Sequence, residues 1–128
     1  MQYSIKAPRA LDATIDLPAS KSISNRVLII HALSEGSIPP SNLSRCDDTE
    51  VMVAALRDMP PEIDIKAAGT AMRFMTAYLA VTRGEHVITG TERMCHRPIK
   101  ALVDALRYMG ADIEYMGEEG YPPLRIRG

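Results

Sequence analysis

The sequence predicts an α/β chain, which could equally be labelled α+β, and three observations carry that reading. Helix-period segments alternate with short runs rich in β-branched residues, the order expected of βα units packed into a sandwich. Two further strand-like runs then close the order around a glycine-containing turn. A strand–loop–helix unit also occurs twice: IDLPASKSISNRVLIIHALSEG (15–36) and IDIKAAGTAMRFMTAYLAVTRG (63–84) have equal length, open Ile-Asp and close on Gly. Ser22 falls opposite Thr70 in the two copies, and Arg26 lies one position out of register with Arg73.

Taken in order, residues 3–17 read as two short strands about Pro8, the second being Ala13–Leu17. A first helix is expected from Ser22 to Leu33, with Ile23, Val27 and Ile30 as its apolar stripe and Gly36 marking its end. The Pro39–Pro40 pair makes a turn. A second helix is expected over 48–59, with Asp47, Asp48 and Thr49 supplying caps and favourable charge, and Pro60–Pro61 stopping it. Ile63–Lys66 is a strand, and a third helix follows from Thr70 to Thr82 before Gly84. After a strand at His86–Thr89, Pro98 fits the first turn of a fourth helix ending at Met109 and Gly110, because that turn needs no N–H there. Asp112–Met116 and Leu124–Arg127 form a hairpin about Gly117–Gly120. Met52, Met59, Met72, Met75 and Met109 fall at helical spacing and read as core filler, and His31 as a packed or boundary residue.

A chain of 128 residues has room for one modest core. Its net charge of −1 gives no global field for nucleic acid or membrane, so any basic function must come from local clustering. No Trp and a single Phe argue against a stacking platform for single strands. Cys46 and Cys95 are too few for a disulfide framework and suit reduced thiols in the cytoplasm. No stretch has the length and apolarity of a membrane span, and the N-terminal residues lack the apolar core of a signal peptide. His86 and His96 have no partner at metal-ligand spacing, and no metal or cofactor is expected. GYPPLRIRG ends on a strand-like run with no closing element, as a piece of a longer chain would.

The cations collect at helix mouths. In PASKSISNR, Ser22 and Arg26 share a helix face and Lys21 stands at its start. Helix N-termini present free N–H groups and partial positive charge, so this stretch suits a phosphate or carboxylate. AAGTAMR repeats the design: Gly69 admits close approach to the backbone, Thr70 caps or donates, and Arg73 lies on the same face. In RMCHRPIKALVDAL, Arg93 and Arg97 precede a helix, and a guanidinium fork suits two-point contact with an oxyanion. Each stretch alone is also what a cap with solvated cations would give. Three together in a net-negative chain point to a small polyanion with more than one phosphate or carboxylate. No Walker A motif is present. Cys95 lies near this cluster and reads as a bystander unless Arg93 and Arg97 activate it; Asp47, Asp48 and Glu50 read as helix-start acids rather than a catalytic pair.

LPASKSISNR, AGTAMR and RMCHRPIKALVDALRYMGA, with YPPLRIRG after them, closely resemble the N-terminal portion of the 5-enolpyruvylshikimate-3-phosphate synthase family along nearly the whole chain. The resemblance implies a fold of two similar domains built from βαβαββ-type units that close on substrate about a hinge. It implies a transferase of the shikimate pathway, on the route to aromatic amino acids. The enolpyruvyl group of phosphoenolpyruvate moves to the 5-hydroxyl of shikimate 3-phosphate, and phosphate leaves. Lys21 would contact both substrates and serve as the catalytic residue of this portion. Ser22 and Arg26 would bind shikimate 3-phosphate. Gly69 and Arg97 would hold phosphoenolpyruvate, with Thr70 and Arg73 shaping that pocket. Residues 1–20 would belong to the other domain of the intact enzyme, and 21–128 to the substrate-binding units. The intact enzyme would be a cytoplasmic monomer without cofactor, with the two small molecules as partners and neither nucleic acid nor membrane.

The chain departs from that pattern at Ala67, where the family usually has Asn, and at Phe74, where it usually has Pro. The link through MPPEIDIK is also short, and a strand pair common in the family is missing. These departures bear on the phosphoenolpyruvate pocket and on glyphosate sensitivity. Acid–base carboxylates and further cationic ligands would lie in the portion of the family that this chain does not cover. The chain alone is therefore expected to lack turnover and to self-associate through surfaces left uncovered. Two rival readings are the sister enzyme that transfers enolpyruvate to a UDP-linked amino sugar, UDP-N-acetylglucosamine enolpyruvyl transferase, and a non-catalytic phosphate- or nucleic-acid-binding module. The first fits SKSISNR less well, with Cys95 only two residues before Arg97; the second fits poorly with the near-neutral charge.

Overall fold

The computed structural model describes residues 2–4, 6–8, 10, 12–34 and 36–128. Its elements run α1 (Lys21–Leu33), α2 (Asp47–Asp58), β1 (Glu62–Asp64), α3 (Gly69–Val81), β2 (Glu85–Thr89), α4 (Glu92–Cys95), α5 (Lys100–Tyr108), β3 (Asp112–Tyr115) and β4 (Leu124–Arg127). The four strands form one mixed sheet in the order β1-β2-β4-β3. β1 and β2 are parallel with α3 as their crossover, and the β3–β4 hairpin adds antiparallel to β2. The expected α/β class and the hairpin are both present.

Period-two alternation sets the two faces of the sheet. Ile63, Ile88, Ile113, Leu124 and Ile126 point inward and are buried. They meet Met72, Met75 and Leu79 of α3 and Val103 of α5 in one core. The opposite face carries Glu85, Asp112, Glu114, Arg125 and Arg127. Arg127 reaches Glu85 at 3.2 Å, Asp112 at 3.3 Å and Glu114 at 3.4 Å. Gly84 makes the turn from α3 into β2 at φ 135°, a conformation L side chains avoid, and a Cβ there would lie 2.9 Å from His86 Nε2.

The repeat survives in its helices. α1 and α3 are each 13 residues long, and their ends correspond at the offset that aligns Ile15 with Ile63. It fails in its strands. Residues 12–20 run without regular structure, and no strand occurs among the described residues of 3–17; Ile5, Arg9 and Leu11 of that expected pair lie outside the described residues. A strand needs a ladder partner, and neither sheet edge, β1 or β3, takes this segment.

Several expectations are corrected by packing. The α1 stripe points outward, with Ile23 and Ile30 each 64% exposed, while Ser24, Asn25 and Leu28 face the interior. The inward face of α1 is polar because it hydrogen-bonds to the start of α2. Of the methionines, Met52, Met72 and Met75 are core and Met59 packs at its margin, but Met109 is 74% exposed just past the end of α5. Pro98 precedes rather than opens α5, whose N-cap is Ile99. α4 was not expected; Thr91 caps it by accepting from Met94 N.

Candidate active site

The first group of candidate residues stands at the start of α1. Ser20 is the N-cap and accepts from Ile23 N at 3.4 Å, while Ser24 Oγ donates to Ser20 O and accepts from Ser44 N, both at 2.9 Å. These bonds fix the first turn and leave Lys21, Ser22 and Arg26 exposed on its outer side. Among the described residues Ser22 Oγ has no hydrogen-bond partner, so its hydroxyl is available to an incoming anion. Arg26 Nη1 donates to Ser22 O at 2.9 Å, and its Cζ lies 5.7 Å from the Phe74 ring centroid.

α2 begins beside this turn. Its N-cap is Cys46, with no side-chain cap bond among the described residues, which corrects the expectation that Asp47, Asp48 and Thr49 cap it. Asp48 Oδ2 instead pairs with Lys21 Nζ at 3.3 Å. The buried Thr49 turns inward and donates Oγ1 to Asn25 Oδ1 at 2.9 Å. Cys46 Sγ lies 3.4 Å from Thr49 Oγ1, whose proton goes to Asn25, and hydrogen bonding by Ser44, with the Thr49 backbone N–H adding to it, holds the Cys46 thiol below the usual 9.0.

The second group gathers at the start of α3. Gly69 and Arg97 touch: a Cβ on Gly69 would overlap the Arg97 guanidinium, with Cζ at 2.9 Å. A Cβ at position 69 would require that guanidinium to shift. The α3 N-cap is Ala68, and among the described residues no side chain caps it, so first-turn N–H groups remain available next to Arg97. Arg73 is committed to holding the site together: Nη1 donates to Gly69 O and Nη2 to Pro98 O, each at 3.0 Å. The second bond ties α3 to the loop that carries Arg97. A cavity of about 410 Å³ opens here, lined by Ala67, Arg93, Met94 and Arg97. Thr70 follows at half-buried depth. Cys95 Sγ donates to Gly90 O at 3.6 Å and lies 3.9 Å from Thr89 Oγ1.

The structure thus sorts the candidates into two mouths, Lys21, Ser22 and Arg26 on α1, and Gly69, Thr70, Arg73 and Arg97 about α3, with the Arg26–Phe74 contact between the helices. Sequence reasoning missed two members. Asp48 was read as a helix-start acid, and its pairing with Lys21 spans a separation no local pattern reports. Asn25 sits inside the quoted motif, and the only signal for it was a polar residue on what became the buried face.

Guanidinium and ammonium groups set at helix N-termini on a mixed α/β scaffold make an arrangement whose chemistry suits oxyanions. The EPSP synthase (3-phosphoshikimate 1-carboxyvinyltransferase) family model matches residues 5–63 and 59–128. The chain belongs to the EPSP synthase family. It is 66% identical to the 3-phosphoshikimate 1-carboxyvinyltransferase of Bacteroides fragilis strain ATCC 25285, over 100% of this chain and 31% of that protein. The enzyme of the same name from Bordetella pertussis is 44% identical over 97% of this chain and 33% of its own length. A solved EPSP synthase from Acinetobacter baumannii superposes with a TM-score of 0.76 at 25% identity, covering 89% of this chain and 31% of that one. The chain therefore spans about a third of the length of the relatives it matches.

Proposed function

We propose that this chain supplies part of the substrate-binding surface of an enzyme that transfers enolpyruvate from phosphoenolpyruvate to the 5-hydroxyl of shikimate 3-phosphate and releases phosphate. The observation that carries the reading is the Arg97 guanidinium lying across Gly69 at a helix mouth that no described side chain caps. A carboxylate or phosphate placed there meets backbone N–H groups and a guanidinium fork together. In this reading Gly69 and Arg97 hold phosphoenolpyruvate, and Arg73 and Thr70 shape its pocket. Ser22 and Arg26 bind shikimate 3-phosphate. Lys21 contacts both substrates; its pairing with Asp48 keeps the ammonium at the mouth of α1 until an anion competes for it. The family match favours this reaction over transfer to a UDP-linked sugar.

The chain alone binds without turning over, because general acid–base catalysis needs a group within hydrogen-bond reach of the reacting atoms. In this reading the acid–base carboxylates lie in the part of its relatives' length that this chain does not cover. Calorimetric titration with shikimate 3-phosphate, beside Arg26→Ala, tests the binding; saturable heat lost in the variant supports it, and its absence in the unaltered chain overturns it. Phosphate release by this chain alone with both substrates overturns the division of labour.

The cytoplasm suits these soluble substrates and the two free thiols; among the described residues no helix is long and apolar enough to cross a membrane. The chain by itself self-associates through apolar surface left uncovered, including Ile23 and Ile30 on the outer side of α1.

A further inference from the structure

Arg26 and Phe74 are each the sixth residue of their helices, equivalent places in the two copies of the repeat. The copies differ there in kind, a cation in one and a ring in the other, and the two side chains meet, with Arg26 Cζ 5.7 Å from the ring centroid. Among the described residues no carboxylate pairs with Arg26. Its orientation therefore rests on two contacts, its own Nη1 bond to Ser22 O and the Phe74 face.

We propose that Phe74 is a positioning residue for Arg26, holding the guanidinium in the orientation that receives the shikimate 3-phosphate anion; this rests on the functional reading above. A cation–π contact takes up no hydrogen-bond acceptor. One Arg26 donor is committed to Ser22 O, and among the described residues the others have no hydrogen-bond partner. A long, exposed arginine must otherwise give up rotamer freedom at the moment of binding, and a side chain already held loses less. Phe74 also rides on the helix that carries Gly69 and Arg73, so the same contact ties the Arg26 mouth to the Arg97 mouth.

The test compares Phe74→Leu, which keeps apolar bulk without a ring face, with Phe74→Tyr, which keeps the ring. Shikimate 3-phosphate affinity is read by calorimetry, with thermal melts confirming that both variants fold. A cation–π contact at an exposed site predicts about two- to fivefold weaker binding for Phe74→Leu and wild-type binding for Phe74→Tyr. The chain has no tryptophan, so Phe74→Trp introduces a single indole. Its emission is expected to change when Arg26→Ala is added, without any ligand. Wild-type affinity in Phe74→Leu, equal losses in Phe74→Leu and Phe74→Tyr, or indole emission indifferent to Arg26→Ala overturns the positioning role. If the unaltered chain does not bind shikimate 3-phosphate, the functional reading itself fails and this proposal with it. If it binds, Arg26→Ala does not, and Phe74→Leu matches wild type, only the positioning role fails.

Discussion

Thr49→Val probes the bond on which the first mouth is built. Thr49 and Asn25 are buried, at 1% and 0% exposure, and Thr49 Oγ1 donates to Asn25 Oδ1 at 2.9 Å. Among the described residues Asn25 Nδ2 is already buried without a partner. Valine keeps the shape of threonine but removes the donor, leaving the whole Asn25 amide unpaired between α1 and α2. An unsatisfied buried polar group costs about 1–3 kcal/mol. Divided by a urea m-value of about 1–3 kcal/mol/M, that lowers the denaturation midpoint by roughly 1 M. Asn25→Leu, similar in volume, removes the orphaned amide and leaves Thr49 Oγ1 within 3.4 Å of Cys46 Sγ, so it is expected to cost less than Thr49→Val. The double variant replaces both polar partners and is expected to recover most of the loss, because exchanging a buried pair for apolar groups is close to neutral. Urea unfolding of the four proteins closes this cycle. A Thr49→Val midpoint equal to wild type, or additive losses in the double variant, refutes the reasoning.

Gly69→Ala is expected to fold normally, since alanine suits a first helical turn, but to weaken phosphoenolpyruvate about tenfold or more by displacing the Arg97 guanidinium; titration beside a thermal melt checks both halves. Hydrogen bonds from the Lys66 side chain and then its backbone N–H hold the Asp64 carboxyl below its usual 3.8. Because the folded value is the lower one, the stabilisation is full above pH 3.8 and is lost as pH falls through the folded value. Asp64→Asn should therefore be less stable than wild type at pH 7, by under about 1 kcal/mol for so exposed a pair, and the gap should close in melts below pH 3.8. In a Cys95→Ser background, alkylation of Cys46 should rise through a midpoint below 9.0, and a midpoint at or above that value contradicts the Ser44 and Thr49 hydrogen bonds. Light scattering should report a dimer for the unaltered chain and a monomer for Ile23→Lys with Ile30→Lys; a monomer in both removes the α1 face as an interface.

The sequence alone placed α1, α2, α3, β2 and the β3–β4 hairpin to within a few residues, because apolar spacing, caps and Gly or Pro stops are local signals. It also located the helix mouths that carry Lys21, Ser22, Arg26, Gly69 and Arg97, since small, hydroxyl and cationic residues at a helix start are legible without neighbours. Which face of each helix turns inward was not legible. Ile23, Val27 and Ile30 form the more apolar stripe of α1, yet Ser24 and Asn25 are buried, because their bonds to Ser44 and Thr49 become available only when α2 packs alongside. Among the described residues of 3–17 no strand forms, for the same reason: a strand is completed by another strand, and local sequence does not say whether one is in reach. The pairing of Lys21 with Asp48, the close approach of Arg97 to Gly69, and the contact of Arg26 with the Phe74 ring join residues far apart in sequence, so only the tertiary structure decided them.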